Sequence, residues 1–100
     1  MYYNEHTFIY LNGEIVKADE AKIDLYGQTL HYGYGVFEGI RSYKTAAGET
    51  KMFKEAEHFE RLKNSAEALN LPYSWTAVEL IKATYEVLRK NNCSDAYIRP

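Results

Sequence analysis

His31-Tyr32-Gly33-Tyr34-Gly35-Val36-Phe37-Glu38-Gly39-Ile40-Arg41-Ser42-Tyr43 places three glycines, four aromatic rings, a histidine and an arginine within thirteen residues. From Tyr34 onward the stretch alternates, which predicts a strand over 34–43. Phe37, Gly39, Arg41 and Tyr43 share one face, and Val36, Glu38, Ile40 and Ser42 the other. The first face combines what a small-molecule pocket requires. A glycine lets backbone approach a ligand, a ring gives a flat apolar wall, and Arg41 offers a forked donor to a carboxylate or phosphate.

Upstream, Phe8-Ile9-Tyr10-Leu11 and Glu14-Ile15-Val16-Lys17 flank Asn12-Gly13, the pair that accepts the positive φ angles of a type I′ hairpin. Ala18 to Lys22 is polar and turn-like, Ile23 to Tyr26 reads as a short extended piece, and Gly27 to Gly33 has room for one helical turn. Downstream, Lys44 to Glu49 is a turn and Thr50 to Phe53 a returning strand. Lys54 to Leu69 reads as a helix whose Ala56, Phe59, Leu62, Ala66 and Leu69 form the core stripe. Arg61 lies roughly 120° from the centre of that stripe and faces away from it. Its bland role is a solvated ion pair with Glu57 at i,i+4.

A second helix starts near Thr76, where Thr76-Ala77-Val78-Glu79 fits a capping box. It buries Ala77, Leu80, Ile81, Thr84, Val87 and Leu88, and ends in Arg89-Lys90-Asn91-Asn92. Asp95 to Arg99 then begins a strand, which puts Tyr97 and Arg99 on one face, where a hydroxyl and a guanidinium can together recognise a carboxylate. Strands followed by two helices and a strand give an α+β class: a small antiparallel sheet with two packed helices, one domain over residues 1–100.

Composition fits such a domain. Apolar residues at 46% and charged residues at 26% are ordinary for a globular chain, and a net charge of −2 gives no reason to expect nucleic acid as a partner. Ten tyrosines suit a polar-tipped pocket or an interface, although half-buried positions on strands and helix edges account for many. No apolar run has the length of a membrane span, so no membrane partner is expected. Met1 to His6 lacks the basic and apolar regions of a leader, and Cys93 is the single cysteine. These features point to the cytoplasm. His6, His31 and His58 are too scattered for a metal pattern, and Gly33-Tyr34-Gly35 lacks the helix and lysine of a nucleotide loop.

The 31–43 stretch resembles the N-terminal signature of the branched-chain aminotransferases, pyridoxal-phosphate enzymes of aminotransferase class IV. Glu57-His58-Phe59-Glu60-Arg61-Leu62 and Ala96-Tyr97-Ile98-Arg99-Pro100 match the same family in order and spacing. The resemblance implies the N-terminal small domain of the fold-type IV aminotransferase-like fold. It implies amino transfer between leucine, isoleucine or valine and 2-oxoglutarate, with pyridoxal phosphate as cofactor and a homodimer or higher oligomer as the assembly. It makes Arg61 the ligand of the cofactor phosphate. Tyr97 becomes a substrate-carboxylate ligand, and Arg99 a residue associated with acidic substrates. Phe37, Gly39 and Arg41 would line the substrate side, and Tyr32 would reach into a partner subunit's site. Read from pattern alone, Phe37 is equally a core ring and Tyr32 a packed loop ring.

Transamination also needs a lysine to carry the cofactor and an acid beside the pyridine nitrogen. The family keeps both in its second domain, and none of the eight lysines here matches that position. The chain alone is therefore expected to hold no catalytic residue and to be inactive. Within the same fold, D-amino-acid transaminases and aminodeoxychorismate lyases are the alternatives. They usually carry a Gly-Asp-Gly type sequence at the position of His31-Tyr32-Gly33 and lack the Glu38-Gly39-Ile40-Arg41 run. A non-catalytic α+β binding module is the alternative from another class.

Overall fold

The computed structural model describes residues 3–100; Met1 and Tyr2, the first residues of the start read as leaderless, lie outside them. Strands β1 (Phe8–Leu11) and β2 (Glu14–Lys17) form the expected hairpin, with Leu11 opposite Glu14. Asn12 at φ 52° and Gly13 at φ 92° supply its two left-handed positions. The hairpin docks on α3, where Lys90 Nζ lies 4.9 Å from the centre of the Phe8 ring and Asn91 bonds the Phe8 backbone. Asn91 accepts from the Phe8 N–H at 2.8 Å and donates to the Phe8 carbonyl at 2.9 Å.

Helix α1 (Gln28–Tyr32) occupies the span bounded by glycines, and Gly33 ends it at φ 62°. The expected extended piece at Ile23–Tyr26 is instead a turn. Asp24 accepts the Tyr26 N–H on its side chain and the Gly27 N–H on its carbonyl, at 2.9 and 3.1 Å. An Asx turn of this kind offers the backbone partners that a lone strand lacks.

Strands β3 (Ile40–Lys44), β4 (Thr50–Met52) and β5 (Ala96–Ile98) form a second, antiparallel sheet in the order β4-β3-β5. The α+β architecture is as expected, with the strands divided between two sheets. The paired part of the 34–43 segment starts at Ile40, later than its alternation suggested. Ahead of it one bond continues the ladder, from the Glu38 N–H to the Pro100 carbonyl at 3.2 Å. The facing nevertheless runs back to Val36: Glu38, Ile40 and Ser42 are buried and Val36 is half-buried, while Phe37, Arg41 and Tyr43 are exposed. Tyr34, of the same parity as Val36, is exposed and does not follow it.

Helices α2 (Glu55–Ala68) and α3 (Ala77–Lys90) cover the buried face of this sheet. Ile40 and Met52 meet Phe59, Leu62 and Leu88 in the core, with Val36, Leu80, Ile81 and Ile98 packed around them. Of the α2 stripe read from sequence, Phe59, Leu62 and Ala66 are buried, whereas Ala56, in the first turn, is exposed. The Thr76 capping box is present: its hydroxyl accepts from the Glu79 N–H at 3.1 Å and its own N–H donates to Glu79 Oε2 at 2.8 Å. Both long helices end on a left-handed asparagine, Asn70 at φ 56° and Asn92 at φ 53°. The residues that follow, Leu71 and Cys93, donate back to the carbonyls of Ala66 and Leu88, each at 2.9 Å, closing Schellman motifs.

Candidate functional site

The face of the three-stranded sheet turned away from the helices carries most of the candidate residues. Register sets Arg41 opposite Tyr97. The Arg41 guanidinium carbon lies 5.7 Å from the centre of the Tyr97 ring, and the Arg99 guanidinium carbon lies 5.7 Å from the same ring and 4.9 Å from the Phe37 ring. Two guanidiniums thus share one phenol, a cation–π arrangement that fixes their spacing. Among the described residues, neither Arg41 nor Arg99 is within ion-pair distance of a carboxylate. Two like charges beside one ring, with no carboxylate partner among the described residues, are an arrangement that can attract an anion.

Gly39 lets this group assemble. A Cβ at that position would fall 2.7 Å from the Tyr97 hydroxyl and 3.1 Å from its ring. The phenol therefore lies directly against backbone, a close approach that only glycine permits. Phe37 is 63% exposed beside it, so it is not a core ring. Tyr32, on α1, is 78% exposed and, among the described residues, pairs with the His31 ring alone, at a tilted 6.1 Å; it is not packed into the loop. A cleft of about 590 Å³ between the hairpin, α3 and β5 reaches Tyr97 and Arg99 but excludes Phe37, Arg41 and Arg61.

Arg61 stands apart from this group and is held from the opposite face of the same segment. Its Nε donates to Glu38 Oε1 at 2.6 Å and its Nη2 to Glu38 Oε2 at 2.7 Å, a bidentate pair. His58, one helical turn earlier, meets Glu38 Oε2 through Nδ1 at 2.9 Å. The expected partner, Glu57, is displaced because a buried carboxylate needs the guanidinium more than a solvated one does. Glu38 is only 6% exposed. The hydrogen bond from Arg61, assisted by His58 against the cost of burial, lowers its carboxyl to about 2. An ionised carboxylate only accepts, so Nδ1 of His58 carries the hydrogen. The Arg61 side chain remains 68% exposed.

Glu38 was not among the residues singled out in the sequence. Its signal was there: an acid on the buried side of an alternating stretch, among Val36, Ile40 and Ser42, demands cationic partners. His58 and Arg61 stand at i,i+3 on the next helix.

The family model for amino-transferase class IV matches residues 35–100. The chain belongs to this family. Among class IV relatives, the branched-chain-amino-acid aminotransferase of Salmonella typhimurium is 44% identical over 93 residues. The match takes in 93% of this chain but 30% of that protein, so the chain spans about a third of the length of the curated relatives it matches. The Escherichia coli branched-chain amino acid aminotransferase structure superposes with TM-score 0.88 at 41% identity, over 94% of this chain and 31% of that one. The T.th. branched-chain amino acid aminotransferase, complexed with N-(5'-phosphopyridoxyl)-L-glutamate, gives TM-score 0.87 at 40% identity, over 94% of this chain and 31% of that one.

Proposed function

We propose that residues 1–100 are the N-terminal small domain of a branched-chain-amino-acid aminotransferase using pyridoxal phosphate, and that they supply its anion-binding half. The observation that carries this reading is the unpaired Arg41 and Arg99 about the Tyr97 phenol, seated on Gly39 and walled by Phe37. The ligand of the T.th. relative contains a phosphate and carboxylates, and this chain offers one separate cationic place for each kind of anion. Tyr97 and Arg99 bind the substrate carboxylates, Phe37 packs on the aliphatic side chain, and Arg41 adds charge on the far side of the phenol.

Arg61 fits the cofactor phosphate. Its guanidinium is exposed and held by one edge, and Nη1 is left undirected. Pyridoxal phosphate, when bound, supplies the electron sink for amino transfer. What this chain contributes is binding and orientation. Every lysine in it is exposed, so none has the desolvation that activates a lysine nucleophile. The covalent lysine and the pyridine-side acid are assigned to the portion of the relatives' length that this chain does not span. The exposed apolar residues Ile23, Leu25, Leu30 and Tyr32 around α1 support a homodimeric contact in which Tyr32 approaches the partner's site. A cytoplasmic enzyme accords with its free, exposed cysteine.

The test is amino transfer to 2-oxoglutarate by the whole protein, with leucine, isoleucine, valine and D-alanine as donors. Glutamate forms from the three branched L-amino acids. Removing a charge-assisted contact worth about 1.5–3 kcal/mol, Arg99→Ala lowers kcat/KM for 2-oxoglutarate roughly ten- to hundredfold. Transfer from D-alanine alone would overturn the substrate class, and an unaltered Arg99→Ala enzyme would overturn the role of Arg99.

A further inference from the structure

We propose that Glu38 is the positioning residue of the phosphate site, presetting the Arg61 guanidinium by its inner edge so that the outer edge is already aimed at an anion. The inference rests on the reading of Arg61 as the phosphate ligand and goes beyond it, because Glu38 itself touches no ligand.

Arg61 projects from the solvent side of α2, where its long side chain has many rotamers and no apolar support. Held by Glu38 through Nε and Nη2, it keeps a single plane. The donors on Nη1, and the second hydrogen of Nη2, lie on the remaining edge. Glu38 is well suited to this duty because it is itself fixed. Its backbone N–H is tied to the Pro100 carbonyl, its side chain is buried, and Oε2 is shared with His58 Nδ1. A bare buried carboxylate beside a phosphate would repel it; one neutralised by Arg61 and hydrogen-bonded by His58 presents a cationic outer edge instead. A flexible arginine would lose its rotamer freedom on binding the phosphate, whereas this one has lost it on folding, so the cost falls outside the binding step.

Apo forms of the whole protein, titrated with pyridoxal phosphate and with pyridoxal, which lacks the phosphate, separate the phosphate ligand from the residue that positions it. Arg61→Ala weakens pyridoxal phosphate at least tenfold and leaves pyridoxal unchanged; equal pyridoxal-phosphate affinities would overturn the phosphate reading itself. Glu38→Gln keeps the shape but loses the charge and one acceptor. It weakens pyridoxal phosphate about three- to tenfold, the scale of ordering one long side chain, and spares pyridoxal. Combined with Arg61→Ala it adds nothing. A wild-type affinity in Glu38→Gln, a loss that adds to that of Arg61→Ala, or an equal loss for pyridoxal would overturn the positioning role while leaving Arg61 as the ligand.

A measurement on the unmutated apoprotein keeps the proposal testable if Glu38→Gln does not fold. The Arg61 Nε–H resonance is protected from solvent exchange before any ligand is added, and inorganic phosphate leaves it in place. Protection that arises only with phosphate would show that the ligand, and not Glu38, orders the guanidinium.

Discussion

Glu38 shows how one buried charge can decide the behaviour of its neighbours. Its carboxyl sits at about 2, against an ordinary 4.5, because Arg61 and His58 bond to the ionised form more strongly than burial opposes it. A depressed carboxyl pKa contributes stability that is complete above the unfolded value and disappears as pH falls through the folded one. The contribution of Glu38 is therefore present above about pH 4.5 and is lost between there and about pH 2. Denaturant unfolding at pH 7, 4 and 3 tests this: the wild type loses more stability across that interval than Glu38→Gln does, and equal pH profiles would contradict the ion pair. His58 and Arg61 are the basic groups that face the Glu38 carboxylate. Gly39, one residue on, matters for the opposite reason: it contributes no side chain, and so the Tyr97 phenol can lie on the backbone.

Among the elements, the hairpin meets the rest through α3, and the end of that helix helps to secure it. Asn91 pairs with both backbone groups of Phe8 while its amide also donates to the Val87 carbonyl at 2.8 Å. Asn91→Ala leaves the Phe8 N–H and carbonyl without that partner in a half-buried place, at a cost of about 1–3 kcal/mol. Hydrogen exchange reads the result. Protection falls in β1 and β2 and is retained in β3 and α2, because the hairpin opens on its own. Uniform loss across the chain would mean that the hairpin belongs to the same cooperative unit as the core. The boundaries of α3 were legible in the sequence, since the capping box and the terminal asparagines are local devices. The docking role of Asn91 was not, because Phe8 lies 83 residues away from it.

At the scale of the molecule, one face of the three-stranded sheet is covered by two helices and the other is bare. Phe37, Tyr43, Phe53 and Tyr97 stand on the bare side at 53–63% exposure, and β4 and β5 are open edges. Exposed rings beside unpaired strand edges promote association. The 100-residue chain is therefore expected to self-associate as its concentration rises, with sedimentation velocity as the measurement; a single monomeric species at every concentration would contradict this. The sequence by itself determined the local elements and their facing, because hydrophobic period and turn chemistry act within a few residues. Alternation from Val36 to Tyr43 sorted buried from exposed side chains even where the ladder had not begun, though it failed at the exposed Tyr34, and Asn12-Gly13 and Thr76 marked the hairpin turn and helix start. Only the tertiary structure decided the partners. Arg61 could meet Glu57 on its own helix or a carboxylate 23 residues away, and helical spacing favours the first. Packing α2 on the sheet buried Glu38, and a buried carboxylate must be neutralised where a solvated one need not be.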